Sequence, residues 1–85
     1  MDTLAFIEKF LAKDFVCFDI GANVGGVSLL LANRLDKMGG EGRVYAFEPA
    51  PSNLVALYQN IRLNPRLSSR ICVFSTGVGK RKDEI

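Results

Sequence analysis

Apolar residues follow two patterns along the chain: short consecutive runs and longer stripes at helical spacing. The consecutive runs predict strands over residues 15–18, 43–47 and 71–74, and the first reads as a strand buried on both faces. The stripes predict helices over about 3–12, 25–38 and 52–64. The order strand, helix, strand, helix, strand after the leading helix is typical of an α/β fold with a parallel sheet and right-handed crossovers.

The ends of the predicted helices carry recognisable signals. Two consecutive glycines end the second helix, and the hydroxyl of Ser52 can cap the third after a turn over 49–51. Pro65 cannot continue that third helix, so it stops there. Asn60 and Asn64 are interpreted as helix-end polar groups rather than site residues.

Two right-handed crossovers place both of their helices on one face of the sheet. The other face is then left to the leading helix over 1–13, although apolar strands of a parallel sheet need cover on both sides. We therefore expect a single partial domain over 1–85, resembling half of a doubly wound fold and ending in a charged tail over 80–85. A homodimer or a missing C-terminal half would close the gap.

Composition narrows the function classes. The 85 residues suffice for one small domain, and 48% hydrophobic and 24% charged residues with a mean hydropathy of +0.15 indicate a globular chain. Neither a membrane span nor a secretory signal is found, so a cytoplasmic location is expected. The chain has no histidine, which excludes Ser-His pairs and His-ligated metal sites within it, and no metal is expected. Cys17 and Cys72 lie in apolar stretches and are predicted to be buried structural thiols.

The charges are unevenly distributed. Residues 1–60 hold five basic and seven acidic groups, whereas residues 61–85 hold six basic and two acidic groups. Arg62, Arg66 and Arg70 have no aromatic residues interleaved among them, which is not the pattern of a nucleic-acid surface. The basic end is therefore interpreted as a solvated segment, with no specific nucleic-acid partner.

The segment over 19–26 lies where a doubly wound fold binds its ligand, between the first strand and the helix that follows it. Gly21 and Gly25 permit a tight turn, and the helix start offers unpaired N–H groups to an anionic or polar group. Glu48 ends the second strand 23 positions after Gly25, where an acidic side chain can accept hydrogen bonds from a ribose diol. Together these residues predict a nucleoside site.

The identity of the nucleoside depends on Asn23, which stands where dinucleotide-binding turns carry their second glycine. A side chain there crowds a diphosphate but can bind a smaller polar group, so NAD is disfavoured. A Walker A sequence is absent. Each of these residues also has an alternative, purely structural role that remains open. Asp19 could cap the turn or the helix, Asn23 could adopt a left-handed turn without a ligand, and Glu48 could be a solvated strand end.

Three short sequences, DIGANVG, YAFEP and NIRLN, carry a resemblance over about residues 14–80. The chain resembles the FkbM-type S-adenosylmethionine-dependent methyltransferases. The resemblance implies a partial, Rossmann-like class I methyltransferase fold in which 14–80 form the cofactor-binding half. It also implies S-adenosyl-L-methionine as the cofactor, bound by the residues that match the family's two motifs: Asp19, Gly21, Asn23, Gly25 and Glu48.

The activity implied by this resemblance is methyl transfer to a hydroxyl of a small molecule or glycan. The resemblance implies an S-adenosylmethionine-dependent methyltransferase. In that family the substrate pocket lies largely beyond the third strand, so the catalytic residues stay unknown and the activity of this chain alone stays open. Two other hypotheses stay open. The chain could be an NAD(P)-type nucleotide-binding half-domain, or a non-enzymatic remnant or assembly module that recruits a partner through its sheet.

Overall fold

The structure, a computed structural model, describes residues 9–76 of the chain. Within this range the elements are, in order, β1 (Val16–Ile20), α1 (Gly26–Met38), β2 (Arg43–Phe47), α2 (Pro51–Arg62), α3 (Pro65–Ser68) and β3 (Ile71–Phe74). The strands form one parallel sheet in the order β1-β2-β3, which confirms the predicted α/β architecture. The charged tail over 80–85 lies outside the described residues. So does most of the leading helix predicted over 3–12, of which Lys9 and Phe10 are described as helical.

The register of the sheet brings the carboxyl ends of the strands to one edge. Asp19 pairs with Ala46, and Ile20 at the end of β1 pairs with Phe47 at the end of β2. Phe47 in turn pairs with Phe74 at the end of β3. The segments that follow β1 and β2 therefore start side by side, as the sequence predicted.

The core lies between the helices and one face of the sheet. Strand residues on that face alternate with residues on the other, so Val44 and Ala46 of β2 are fully buried while Arg43 is exposed. The buried apolar cluster draws on all three helices and on two strands: Ala22, Ala32, Leu35, Val44, Ala46, Leu57, Ile61, Leu67 and Ile71. Both crossovers thus cover the same face, as right-handed connections require.

The opposite face of the sheet is aromatic and open. Phe18, Tyr45, Phe47 and Phe74 form a connected set of rings with centroids 4.9 to 6.1 Å apart, and Phe18 is 63% and Phe74 42% exposed. The prediction that β1 is buried on both faces is therefore wrong for residues 9–76, because no element in this range covers that face. Phe18, Tyr45, Phe47 and Phe74 together are called the open aromatic face below.

The helix after β2 begins differently from the prediction. Ala50 is the N-cap residue of α2 and Pro51 is its first residue, and no side chain caps it, so Ser52 is not the cap. Proline suits this first position because its fixed φ is already helical and it lacks an N–H that would have no partner. The short helix α3 was not predicted.

The cysteines also depart from the prediction. Cys72 is exposed because it lies on the open face of the sheet, whereas Cys17 lies beside Val44 on the helix face and is half-buried against the core. Partial burial raises the pKa of the Cys17 thiol above its ordinary value.

The basic residues near the end of the described range are not all solvated. The Arg70 side chain is only 16% exposed, and its Nη1 donates to the carbonyls of Gly40 (3.3 Å) and Gly42 (2.9 Å). Its Nε lies 3.4 Å from Asp36 Oδ1, whereas Arg66 pairs with the same carboxylate while 70% exposed. Arg70 therefore links α1 to the turn before β2, at the edge of the sheet opposite the predicted site. Within 9–76, no helix has both the length and the apolar character needed to cross a membrane.

Candidate functional site

The loop over 21–25, between β1 and α1, has an unusual backbone. Gly21, Asn23 and Gly25 have φ angles of 71°, 54° and 98°. Positive φ is accessible to glycine without steric cost, and asparagine is one of the few other residues that adopts it readily. Asn23 therefore has the left-handed conformation considered for it, and this explains why glycine and asparagine occupy these three alternating positions.

This loop is fastened to the end of β2 by its own N–H groups. Those of Gly21 and Ala22 both donate to the carbonyl of Phe47, at 2.9 and 3.0 Å. The N–H of Asn23 donates to Glu48 Oε1 at 2.8 Å. The N–H of Gly25 donates back to the carbonyl of Ala22 at 3.0 Å. Four of the loop's donors are thus committed to the protein itself.

Glu48 is buried, with 4% of its surface exposed, so its interpretation as a solvated strand end is wrong. Its Oε2 accepts hydrogen bonds from the N–H of Ala50 (3.0 Å) and from Asn53 Nδ2 (3.3 Å). The hydrogen bond from the N–H of Ala50 contributes most to lowering the pKa of Glu48 below its ordinary value, and the bond from the N–H of Asn23 contributes next. A carboxylate offers about four acceptor positions, so one is left on Oε1 beside the loop.

Asp19 ties the end of β1 to the first turn of α1. The fully buried hydroxyl of Ser28 donates to Asp19 Oδ2 at 2.6 Å. No side chain caps the backbone at the start of α1, so Asp19 acts through Ser28 rather than as the helix cap. The first N–H groups of α1 have no partners within the helix and make its start a positive pole beside this carboxylate.

The two glycines of the loop have different surroundings. A Cβ on Gly25 would lie 2.6 Å from Leu57 Cδ1, so this glycine lets the loop pack against α2. A Cβ on Gly21 would meet nothing within 4 Å, so the space over this backbone is open to a ligand. Farther along α2, Asn60 Nδ2 donates to the carbonyl of Val24 at 2.7 Å.

The structure brings the predicted site residues to one edge of the sheet, on the loop over 21–25 and at the ends of β1 and β2. Sequence reasoning missed three residues that hold them: Ser28, Asn53 and Asn60. Asn60 belongs to the NIRLN sequence, which was a usable signal, whereas nothing in the sequence distinguishes Ser28 or Asn53. Among residues 9–76, no group of three or more acidic, cysteine or histidine side chains is placed to hold a metal ion.

Comparison with known proteins connects this geometry to a family. The family model described as Methyltransferase FkbM domain matches residues 19–85, more than half of the chain. No curated protein matches the chain significantly.

Several solved structures are similar to the chain. Methyltransferase FkbM from Methylobacillus flagellatus KT is 28% identical, with a TM-score of 0.68 over 93% of this chain and 22% of its own. TYW2 from P. horikoshii, in complex with MeSAdo, is 26% identical, with a TM-score of 0.69 over 87% of this chain and 26% of its own. Precorrin-6y C5,15-methyltransferase from Geobacter metallireducens GS-15 is 25% identical, with a TM-score of 0.72 over 98% of this chain and 40% of its own.

These similarities confirm the expected Rossmann-like fold. They also show how much of each structure is matched, since the chain spans well under half the length of all three.

Proposed function

The chain belongs to the FkbM methyltransferase family, and we propose that it forms the cofactor-binding half of an S-adenosylmethionine-dependent methyltransferase. The methyl acceptor in this proposal is a hydroxyl oxygen of a small molecule or a glycan. One observation carries the proposal: Asn23 N–H donates to Glu48 Oε1 at 2.8 Å. This bond joins the glycine turn and the acidic end of β2, the two parts that a nucleoside site needs next to each other.

The chemistry of the site residues suits S-adenosylmethionine. Asp19 and Glu48 are acidic, and the cofactor carries a cationic sulfonium and a cationic ammonium group. In our proposal Asp19 attracts the ammonium group and the remaining acceptor position of Glu48 binds a ribose hydroxyl. The first turn of α1 binds the cofactor's carboxylate, and the open space over Gly21 admits its methionine part.

The hydrogen bonding of the loop argues against a dinucleotide. A diphosphate at a glycine turn is bound by unpaired backbone N–H groups of the turn and the helix start. Here the N–H groups of Gly21, Ala22, Asn23 and Gly25 already donate to protein oxygens, so an anion can use only those at the start of α1, which suit one carboxylate better than two phosphates. The carboxylates nearby would also repel the two negative charges of a diphosphate. We therefore favour the S-adenosyl cofactor over NAD(P).

The role proposed for this chain is binding and orientation. When bound, the cofactor supplies a methyl group on a sulfonium that is already activated for displacement. The chain's own residues fix the position of the cofactor, and holding the reactants in line accounts for a large part of the acceleration in such reactions. We assign no catalytic base among its residues.

Calorimetric titration tests this proposal. We expect the folded chain to bind S-adenosylhomocysteine and to bind NAD much more weakly. Glu48→Gln should reduce the affinity for S-adenosylhomocysteine by about tenfold or more, because a charged acceptor for the ribose hydroxyl is lost. Glu41→Gln is the matched control, since Glu41 is exposed in the turn before β2 at the opposite edge of the sheet. A folded chain that binds neither ligand would refute the proposal.

The open aromatic face favours a second candidate function, an assembly module without enzymatic activity. Apolar patches of this kind on soluble proteins often mark surfaces that another molecule covers. A chain that folds only with a partner and never binds S-adenosylhomocysteine would support this candidate. A chain that folds and binds the ligand as a monomer would exclude it. Circular dichroism and sedimentation velocity, run beside the titration, distinguish the two cases.

A further inference from the structure

The loop over 21–25 is held from the side of α2 as well as from β2. Asn60 lies within α2, two residues before its last residue, Arg62. Its Nδ2 donates to the carbonyl of Val24 at 2.7 Å, across 36 positions of sequence. A polar group that served only the helix end would bond locally, as Asn64 does when its Nδ2 donates to the Asn60 carbonyl at 2.8 Å.

The bond from Asn60 fixes one particular peptide group. The Val24 carbonyl and the Gly25 N–H belong to the same planar peptide unit. Asn60 Nδ2 donates to the oxygen of this unit, and the N–H of the same unit, that of Gly25, donates to the carbonyl of Ala22 at 3.0 Å. The plane is therefore held from both ends, and it directly precedes the left-handed Gly25 from which α1 starts.

We propose that Asn60 is a positioning residue of the cofactor site: its side-chain N–H fixes the Val24–Gly25 peptide and so sets where the first N–H groups of α1 point. Its effect on ligand affinity rests on the proposed function above. Its effect on the loop does not, because the hydrogen bond exists within the protein alone. The two effects can therefore be measured separately.

The test compares substitutions at neighbouring positions of α2. Asn60→Asp keeps the size of the side chain but removes the donor and places a carboxylate against the Val24 carbonyl. Gln59→Glu is the matched control, because it makes the same amide-to-carboxylate change on an exposed residue of the same helix. Asn60→Gln retains the amide and should keep part of the order of the loop and of the ligand affinity. Asn60→Ala replaces Asn60→Asp if the latter does not fold.

The first readout is amide hydrogen exchange followed by NMR. We expect the Gly25 and Gly26 amides to exchange about tenfold faster in Asn60→Asp than in Gln59→Glu, with strand amides in β2 unchanged. The second readout is the affinity for S-adenosylhomocysteine, which should fall by about 2- to 10-fold in the folded variant, the effect of losing one hydrogen bond. Asn60→Gln should lie between wild type and Asn60→Asp in both.

The two readouts separate the possible failures. Equal loop exchange in the Asn60 and Gln59 variants would overturn the positioning role, whatever the ligand does. Faster loop exchange with unchanged affinity for S-adenosylhomocysteine would show that Asn60 orders the loop without affecting the ligand, and would also overturn its role in the cofactor site. If the wild-type chain does not bind S-adenosylhomocysteine at all, the proposed function fails, and the exchange data still decide whether Asn60 orders the loop.

Discussion

Gly25→Ala should destabilise the chain strongly, for two reasons that add. The backbone at Gly25 has φ 98° and ψ 11°, and a left-handed conformation costs a residue with a Cβ about 1–2 kcal/mol. The new Cβ would also lie 2.6 Å from Leu57 Cδ1, a side chain that is fully buried and cannot move into solvent. Overpacking of that kind costs about 1–3 kcal/mol. The free energy of unfolding should therefore fall by about 2–5 kcal/mol.

Gly21→Ala supplies the comparison that isolates the Leu57 contact. Gly21 also has a positive φ, 71°, but a Cβ there meets nothing within 4 Å, so only the backbone cost of about 1–2 kcal/mol applies. Urea unfolding measures both variants, with sucrose added to all samples if Gly25→Ala is unfolded in buffer. In a double-mutant cycle, Leu57→Ala should cost less when Gly25 is already alanine. Equal destabilisation by the two glycine substitutions, or no coupling with Leu57, would refute this reasoning.

Three further predictions follow from individual contacts. Glu48→Gln should lower the urea midpoint at pH 7. Because the pKa of Glu48 is depressed in the folded state, the difference in midpoint between variant and wild type should shrink as the pH falls below about 4.5 and through that folded pKa. A difference in midpoint that does not change with pH would contradict this. Ser28→Ala should reduce the free energy of unfolding by about 1–3 kcal/mol in urea unfolding, since it removes the buried donor to Asp19, and a negligible loss would count against that bond. Cys72 should react faster than Cys17 in thiol labelling followed by mass spectrometry, because the Cys17 thiol is half-buried and has a raised pKa. The reverse order would show that β3 is covered.

Five of the six elements, all but the short helix α3, could be predicted from sequence because their signals are local. The apolar stripe of α1 and the short runs of β1 and β3 are visible in consecutive residues, and the alternation of strands and helices fixes a parallel sheet. The N-cap of α2 was misplaced by two residues because Ser52 suits a cap and Pro51 suits a first helical position, and the choice between them depends on the turn before the helix.

The contacts that hold the site could not be predicted in the same way. The position of Glu48 was visible, but its bond to the Asn23 N–H spans 25 residues and depends on how the loop folds over the end of β2. The Asn60 bond spans 36 residues and depends on where α2 packs. The exposure of Cys72 depends on what lies over one face of the sheet, which a run of apolar letters does not specify.

The most direct test of the central claim is an NMR titration of the isotopically labelled chain with S-adenosylhomocysteine. The account predicts that the backbone amides of Gly21, Asn23, Gly26 and Glu48 shift together with one affinity, because they surround a single site. Gly40 and Glu41, at the opposite edge of the sheet, should not move. A well-dispersed spectrum of a folded chain whose loop amides do not respond to the ligand would contradict the assignment of this edge as a cofactor site.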